Sequence, residues 1–235
     1  MYIEIFFILY LGTEKRCRAN IGFLVDKSLS LRNTQIDGWK QTKEFIVEIA
    51  KYLNISEDET NVAVTSFGTS AELEIKFSEN KDFLSFEKAV YAMNDDLGST
   101  NTIDGFEKAF NEMFDEKNGM RIGVPNTMIY MTDGECSQRW WNCSKEAFQY
   151  WRNMYRNADP PIKLIGIGVG EDVNQTEIEA FVGEENYIGT DFADIVKPEF
   201  IRNLSICDGI YSYLVLILIR IQMEFVIGRT IFVIF

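Results

Sequence analysis

Apolar runs that stop abruptly at a carboxylate recur along this chain. The stretch 21–31, IGFLVDKSLSL, is apolar until it breaks into Asp26-Lys27-Ser28-Leu29-Ser30. Such a run reads as a strand buried on both faces, as in parallel sheets, with its polar residues at the carboxyl end. Residues 126–132 repeat the pattern and end at Asp133, and 163–169 (KLIGIGV) form a third buried run. Between these strands the spacing turns helical. Apolar positions recur at three and four residues over 39–53, 81–93, 102–116, 145–156 and 175–182, which predicts helices that each pack one face on a sheet. In 145–156 the inner side carries Phe148, Trp151, Met154 and Tyr155. Residues 61–68 and 72–77 read as two strands joined by a tight turn at Gly68-Thr69-Ser70, a hairpin that puts one antiparallel strand at the edge. Asn118-Gly119 is a stop signal between elements, a short strand is expected around Tyr187-Ile188, and 198–207 closes as a terminal helix. Strands alternating with helices predict an α/β fold. It is a doubly wound, Rossmann-like sheet, mostly parallel with one antiparallel edge strand and helices on both faces.

The two ends depart from this pattern. Residues 1–16 open with MYIEIFFILYLG, an apolar run of signal-peptide length in which Glu4 stands where a basic residue is expected. The expectation is a signal peptide, with an extra N-terminal segment or edge strand as the alternative. Residues 209–235 are strongly apolar, but Arg220, Glu224 and Arg229 interrupt them before they reach a membrane-spanning length. A tail packed back on the domain, or an extension foreign to it, is expected ahead of a membrane anchor. A glycolipid-anchor signal would need a polar spacer that is missing here. The domain itself is expected over 17–208.

Composition narrows the function. A chain of 235 residues that is 46% apolar can bury one substantial core. Its net charge of −13 argues against a nucleic-acid partner and favours cations and basic partners. With no histidine, His-assisted nucleophilic catalysis, His-ligated zinc and a histidine pH switch are excluded. Cys17 precedes the first strand and Cys207 follows the last helix, so a bridge between them would join the ends of the domain; Cys136 and Cys143 would pin a short loop. Four cysteines allow three connectivities, and spacing alone does not choose. Paired cysteines imply an oxidising compartment, and the sequons at Asn54, Asn142, Asn174 and Asn203 agree with secretion as candidate glycosylation sites.

Candidate chemistry gathers at the strand ends. Asp26, Ser28 and Ser30 alternate with Lys27 and Leu29, so a tight loop can turn one carboxylate and two hydroxyls toward a common point. Oxygens without nitrogen or sulfur suit Mg²⁺, Mn²⁺ or Ca²⁺ rather than zinc. Gly98-Ser99-Thr100-Asn101-Thr102, just before a helix, adds the Thr100 hydroxyl, and Asp133 adds a second carboxylate. In order and spacing these three stretches resemble the metal-ion-dependent adhesion site of von Willebrand factor type A domains, the fold of integrin inserted domains, and the resemblance covers roughly residues 17 to 208. It implies that Ser28 and Ser30 ligate Mg²⁺ or Mn²⁺ directly, that Thr100 does so directly or through water, and that Asp26 and Asp133 hold coordinating waters. Position 29 is commonly glycine in that family and is leucine here, so the loop is less free to take an unusual backbone angle.

The resemblance further implies a secreted, extracellular adhesion module that binds an acidic side chain of a partner protein, such as collagen or another matrix protein, through the metal. The loop 136–143 would then present Arg139, Trp140 and Trp141 beside the metal to read that partner; the alternative is that the tryptophans cover the following helix. Family members can couple metal binding to movement of the terminal helix, and a Cys17–Cys207 bridge would restrain it. A structural matrix domain like those of collagens and matrilins, binding without metal, is the competing reading. An enzyme is not expected. A phosphohydrolase using Asp26 as nucleophile would need a nearby lysine, and Lys27 points to the other face by alternation.

Overall fold

The computed structural model describes residues 18–29, 37–79, 81–94, 98–137, 139, 141–170, 173–191 and 194–195, all within the unit Arg16–Leu204. The ends 1–16 and 209–235, the expected terminal helix 198–207, and Cys17, Ser30, Trp140, Asn203 and Cys207 lie outside the described residues.

Six strands form one sheet: β1 (Ala19–Asp26), β2 (Thr60–Phe67), β3 (Ala71–Ile75), β4 (Asn126–Thr132), β5 (Ile162–Val169) and β6 (Tyr187–Thr190). Their order is β3-β2-β1-β4-β5-β6. Every pair is parallel except β2 with β3, the hairpin at the edge. Strands β1, β2 and β4 are buried at every position, as uninterrupted apolar runs require when helices cover both faces. The order reverses between β1 and β4, the point at which such sheets bind ligands outside their carboxyl ends.

Among the described residues five α-helices flank the sheet: α1 (Gly38–Lys51), α2 (Phe83–Ala92), α3 (Thr102–Lys108), α4 (Lys145–Arg156) and α5 (Gln175–Val182). Each starts at a polar cap whose side chain accepts from an otherwise orphaned first-turn N–H: Asp37, Asp82, Asn101, Ser144 and Asn174. One core cluster joins Leu24 of β1 and Tyr130 of β4 to Phe106, Phe148, Tyr155 and Phe181 of α3, α4 and α5. The Phe106 and Phe181 rings stack 3.7 Å apart. As expected, Phe148 and Tyr155 line the inner side of α4, where Trp151 and Met154 are only half-buried.

One predicted element is corrected. The helix expected over 102–116 is α-helical only to Lys108; Ala109–Met113 form a π-turn, and Glu116–Asn118 a separate 3₁₀ turn. Phe114 N donates to Ala109 O, five residues back. Phe110 and Phe114 both meet Tyr155, with ring centres 5.2 and 6.4 Å away. Helical periodicity in the sequence carries no trace of the π-turn. Gly119 ends the segment at φ 95°, and a Cβ there would lie 2.5 Å from Ser78 N, so only glycine fits.

Among the described residues no helix is long and apolar enough to cross a membrane.

Candidate metal centre

Asp26 ends β1 and Thr132 ends β4, neighbours at the reversal point of the sheet. Thr132 Oγ1 donates to Asp26 Oδ2 at 2.5 Å. Asp133 follows in a bend, and Ser28 Oγ donates to its Oδ1 over a long 3.5 Å. The structure thus joins Asp26, Ser28 and Asp133, predicted from separate stretches, in one buried group. Lys27 alternates away. Its Nζ lies 2.9 Å from Glu74 Oε1 on β3 and donates to Asn94 Oδ1 past α2.

Backbone pairing brings in the third stretch. Ser28 and Gly98 form an isolated parallel bridge, in which Gly98 N donates to Lys27 O and Leu29 N donates to Gly98 O. Gly98 presses on the β2–β3 turn: a Cβ there would lie 2.4 Å from Thr69 Oγ1 and 2.7 Å from Thr69 N. Thr100, two residues on, is buried at the same edge. The substitution at position 29 is accommodated outward: the Leu29 side chain is 51% exposed while its backbone stays bonded to Gly98.

The electrostatics of the group are unfavourable without a cation. Asp26 is 2% exposed. Its carboxyl is pushed up from 3.8 to about 7, first by burial and then by the charge of Asp133, against the pull of hydrogen bonds from Thr132 and Ser28. Asp26 Oδ1 is buried without a hydrogen-bond partner among the described residues. An orphaned carboxylate oxygen beside a second carboxylate and two hydroxyls fits a hard divalent cation. Among the described residues no three Asp, Glu or Cys side chains form a metal-holding cluster.

Tyr130 lies below Asp26 in the core. Burial, with a smaller contribution from the Asp26 charge, holds its hydroxyl well above the usual phenol range, so it stays protonated.

The rim is partly as expected. Cys136 and Cys143 are bridged, with Cα atoms 5.9 Å apart. Within the loop they close, Arg139 is exposed, whereas Trp141 is half-buried and packs against the core cluster. Trp141 thus gives part of its surface to the core. Among the sequons, Asn54 and Asn142 are exposed, while Asn174 is half-buried and uses its Oδ1 to cap α5.

Three side chains that sequence reading missed also build the site: Thr132, Ser137 and Glu177. Ser137 pairs with the backbone of Thr100, and Glu177 Oε2 accepts from Cys136 N at 3.0 Å. Only Thr132, adjacent to Asp133, lay within reach of a motif.

Relatives are consistent with this geometry. Residues 20–199 match the family described as the von Willebrand factor type A domain. Chicken matrilin-1 is 27% identical over 189 residues, which cover 79% of this chain and 36% of that protein. Mouse matrilin-2 is 30% identical over 120 residues, or 50% of this chain and 12% of that protein. The chain thus spans well under half the length of these relatives. Among solved structures, proximal thread matrix protein 1 from the mussel byssus, described with a zinc-occupied MIDAS motif, superposes with a TM-score of 0.69 at 21% identity. The match covers 82% of this chain and 46% of that one. A von Willebrand factor type A protein from Catenulispora acidiphila follows at 0.61 and 14% identity, covering 80% of this chain and 42% of that one. Sequence match and strand order agree, and the chain belongs to the von Willebrand factor type A domain family.

Proposed function

We propose that this chain is an extracellular, non-catalytic adhesion module that holds Mg²⁺ or Mn²⁺ with Ser28, Ser30 and Thr100 as hydroxyl ligands. Asp26 and Asp133 supply charge and hold coordinating waters. The observation that carries this reading is the buried Asp26 Oδ1, without a hydrogen-bond partner among the described residues, beside Asp133 at the sheet's reversal point. The ion's chemistry would be that of a Lewis acid left largely uncompensated by neutral hydroxyls, which attracts an acidic side chain of a partner. Arg139 and the open face of Trp141, with Trp140, would contact that partner beside the site. The zinc-occupied motif of the byssus protein, which shares the fold, supports a divalent ion here. Matrilins among the relatives support a protein of the extracellular matrix as partner.

Catalysis finds no support in the same geometry. Lys27 is turned away toward Glu74, and Tyr130 stays protonated, so neither serves as a base beside Asp26.

Calorimetric titration of Mg²⁺ and Mn²⁺ into the protein, beside an Asp133→Ala control, tests the metal site. One-site binding abolished in the control is expected. Binding to matrix proteins is then expected to be lost on adding chelator. The matrilin relatives equally suit a matrix domain whose contacts need no metal. Partner binding that survives chelation would establish that reading instead.

A further inference from the structure

The Thr100 loop has no regular structure of its own, and its two flanks are held by different parts of the fold. On one flank, Ser99 N donates to Thr69 Oγ1 at 3.1 Å, and Asn101 N donates to Gly68 O at 2.8 Å. On the other, Ser137 takes both backbone polar groups of Thr100. Ser137 N donates to Thr100 O at 2.9 Å, and Thr100 N donates to Ser137 Oγ at 3.2 Å. This reciprocal pair spans 37 residues of sequence. It fixes the peptide groups on both sides of the Thr100 Cα, and hence the direction in which that side chain leaves the backbone.

Ser137 is itself held from several sides. It adjoins Cys136, whose bridge to Cys143 closes a short ring. Inside the ring Trp141 N donates to Ser137 O at 3.3 Å, and Cys143 N donates to Trp141 O at 3.0 Å. Outside it, Cys136 N donates to Glu177 Oε2 on α5 at 3.0 Å. Through the adjacent residues Cys136 and Ser137 the bridged loop thus ties α5 to Thr100.

We infer that Ser137, held by the Cys136–Cys143 bridge, is a positioning residue for the metal centre: it sets Thr100 and thereby the site's affinity for the cation. The inference rests on the metal-binding reading proposed above. Groups that orient a ligand without touching the ion characteristically change affinity by about 10- to 100-fold when removed. Ser137→Ala removes the acceptor of Thr100 N and leaves that N–H buried. Opening the bridge with a dithiol acts on the same loop. The dithiol's thiolate attacks one Cys sulfur, the S–S bond breaks, and two electrons and two protons leave Cys136 and Cys143 as thiols while the dithiol becomes a cyclic disulfide.

The test is calorimetric titration of Mn²⁺ into the full chain as wild type, Ser137→Ala, Ser137→Thr and dithiol-reduced wild type, each also melted in chelator. Expected are about 10-fold weaker binding by Ser137→Ala and by the reduced protein, recovery in Ser137→Thr and on reoxidation, and a cooperative melt of all four without metal above the titration temperature, which shows each to be folded when titrated. Wild-type binding matched by both Ser137→Ala and the reduced protein overturns the positioning role and leaves the metal site standing. No Mn²⁺ binding by wild type overturns both. Should Ser137→Ala fail to fold, the reduced wild type decides in its place; affinity unchanged on reduction then overturns the inference.

Discussion

Lys27 Nζ lies 2.9 Å from Glu74 Oε1 with both side chains buried. Ser66 Oγ donates to the same carboxylate oxygen at 2.6 Å. The pair ties the loop after β1 to the edge strand, on the face opposite the candidate site. Removing one partner of a buried pair strands the other charge, which costs about 3 kcal/mol. Glu74→Gln is therefore expected to lower the urea-unfolding free energy by about that amount. Lys27→Met with Glu74→Leu should recover most of the loss. A single variant within about 0.5 kcal/mol of wild type would show that Asn94 and Glu72, whose Oε2 lies 3.8 Å from Lys27 Nζ, suffice to hold the lysine.

That lysine also shows how far the sequence could be read. Alternation alone placed Lys27 away from Asp26, because a strand's side-chain period is fixed by its backbone. Strand β4 and helices α4 and α5 fall on their predicted bounds for equally local reasons: apolar runs end at polar residues, and Ser144 and Asn174 cap the helices. The π-turn at Ala109–Met113 is different, since the apolar spacing over 102–116 suits one uninterrupted α-helix equally well and nothing local marks it. Within the site, the motif residues Asp26, Ser28 and Asp133 were visible by spacing. Ser137 and Glu177 were not, because their bonds to Thr100 and Cys136 join segments that share no pattern.

Asp26 makes the metal-free protein pH-sensitive. Its folded carboxyl is raised to about 7 from an ordinary 3.8, so the folded state holds that proton more tightly than the unfolded chain. The stabilisation is complete below about 3.8 and is lost as pH rises through about 7. In chelator, wild type is expected to lose stability relative to Asp26→Asn between pH 4.5 and pH 7.5. Urea midpoints for both proteins across that window test this, and a gap independent of pH would mean that Asp26 titrates normally.

Arg121 clasps the amino-terminal edge of the sheet. Its guanidinium donates to the backbone carbonyls of Glu57 at 2.7 Å and Ala19 at 3.0 Å, and also to that of Glu59. Three segments are thereby joined by one rigid fork of donors, which a lysine ammonium cannot reproduce. Arg121→Ala is expected to destabilise the fold by about 2–3 kcal/mol, given two or more charge-assisted bonds lost, and Arg121→Lys to recover less than half. Full recovery by lysine would show that charge rather than geometry matters there. Because this clasp lies at the far edge of the sheet from Asp26, Mn²⁺ affinity of the folded variant should stay at the wild-type level.

Thr132 offers a sharper test of the site, because its hydroxyl touches Asp26 Oδ2 and not the proposed ligand positions. Thr132→Val keeps the shape and the β-branch that suits the end of a strand, but removes the hydroxyl that donates to that oxygen. Asp26 would then be more reluctant to ionise, since a hydrogen bond favouring its charged form is gone. Divalent-ion binding requires the charged form, so affinity at pH 7 should fall about 10-fold. Raising the pH should restore much of it as Asp26 is forced to ionise, whereas Thr132→Ser, which keeps the donor, should bind as wild type at both pH values. Mn²⁺ titrations of the three proteins at pH 6.5 and 8.5 separate this from a packing defect. A valine deficit of equal size at both pH values would place the role of Thr132 in the shape of the strand end rather than in the charge of Asp26.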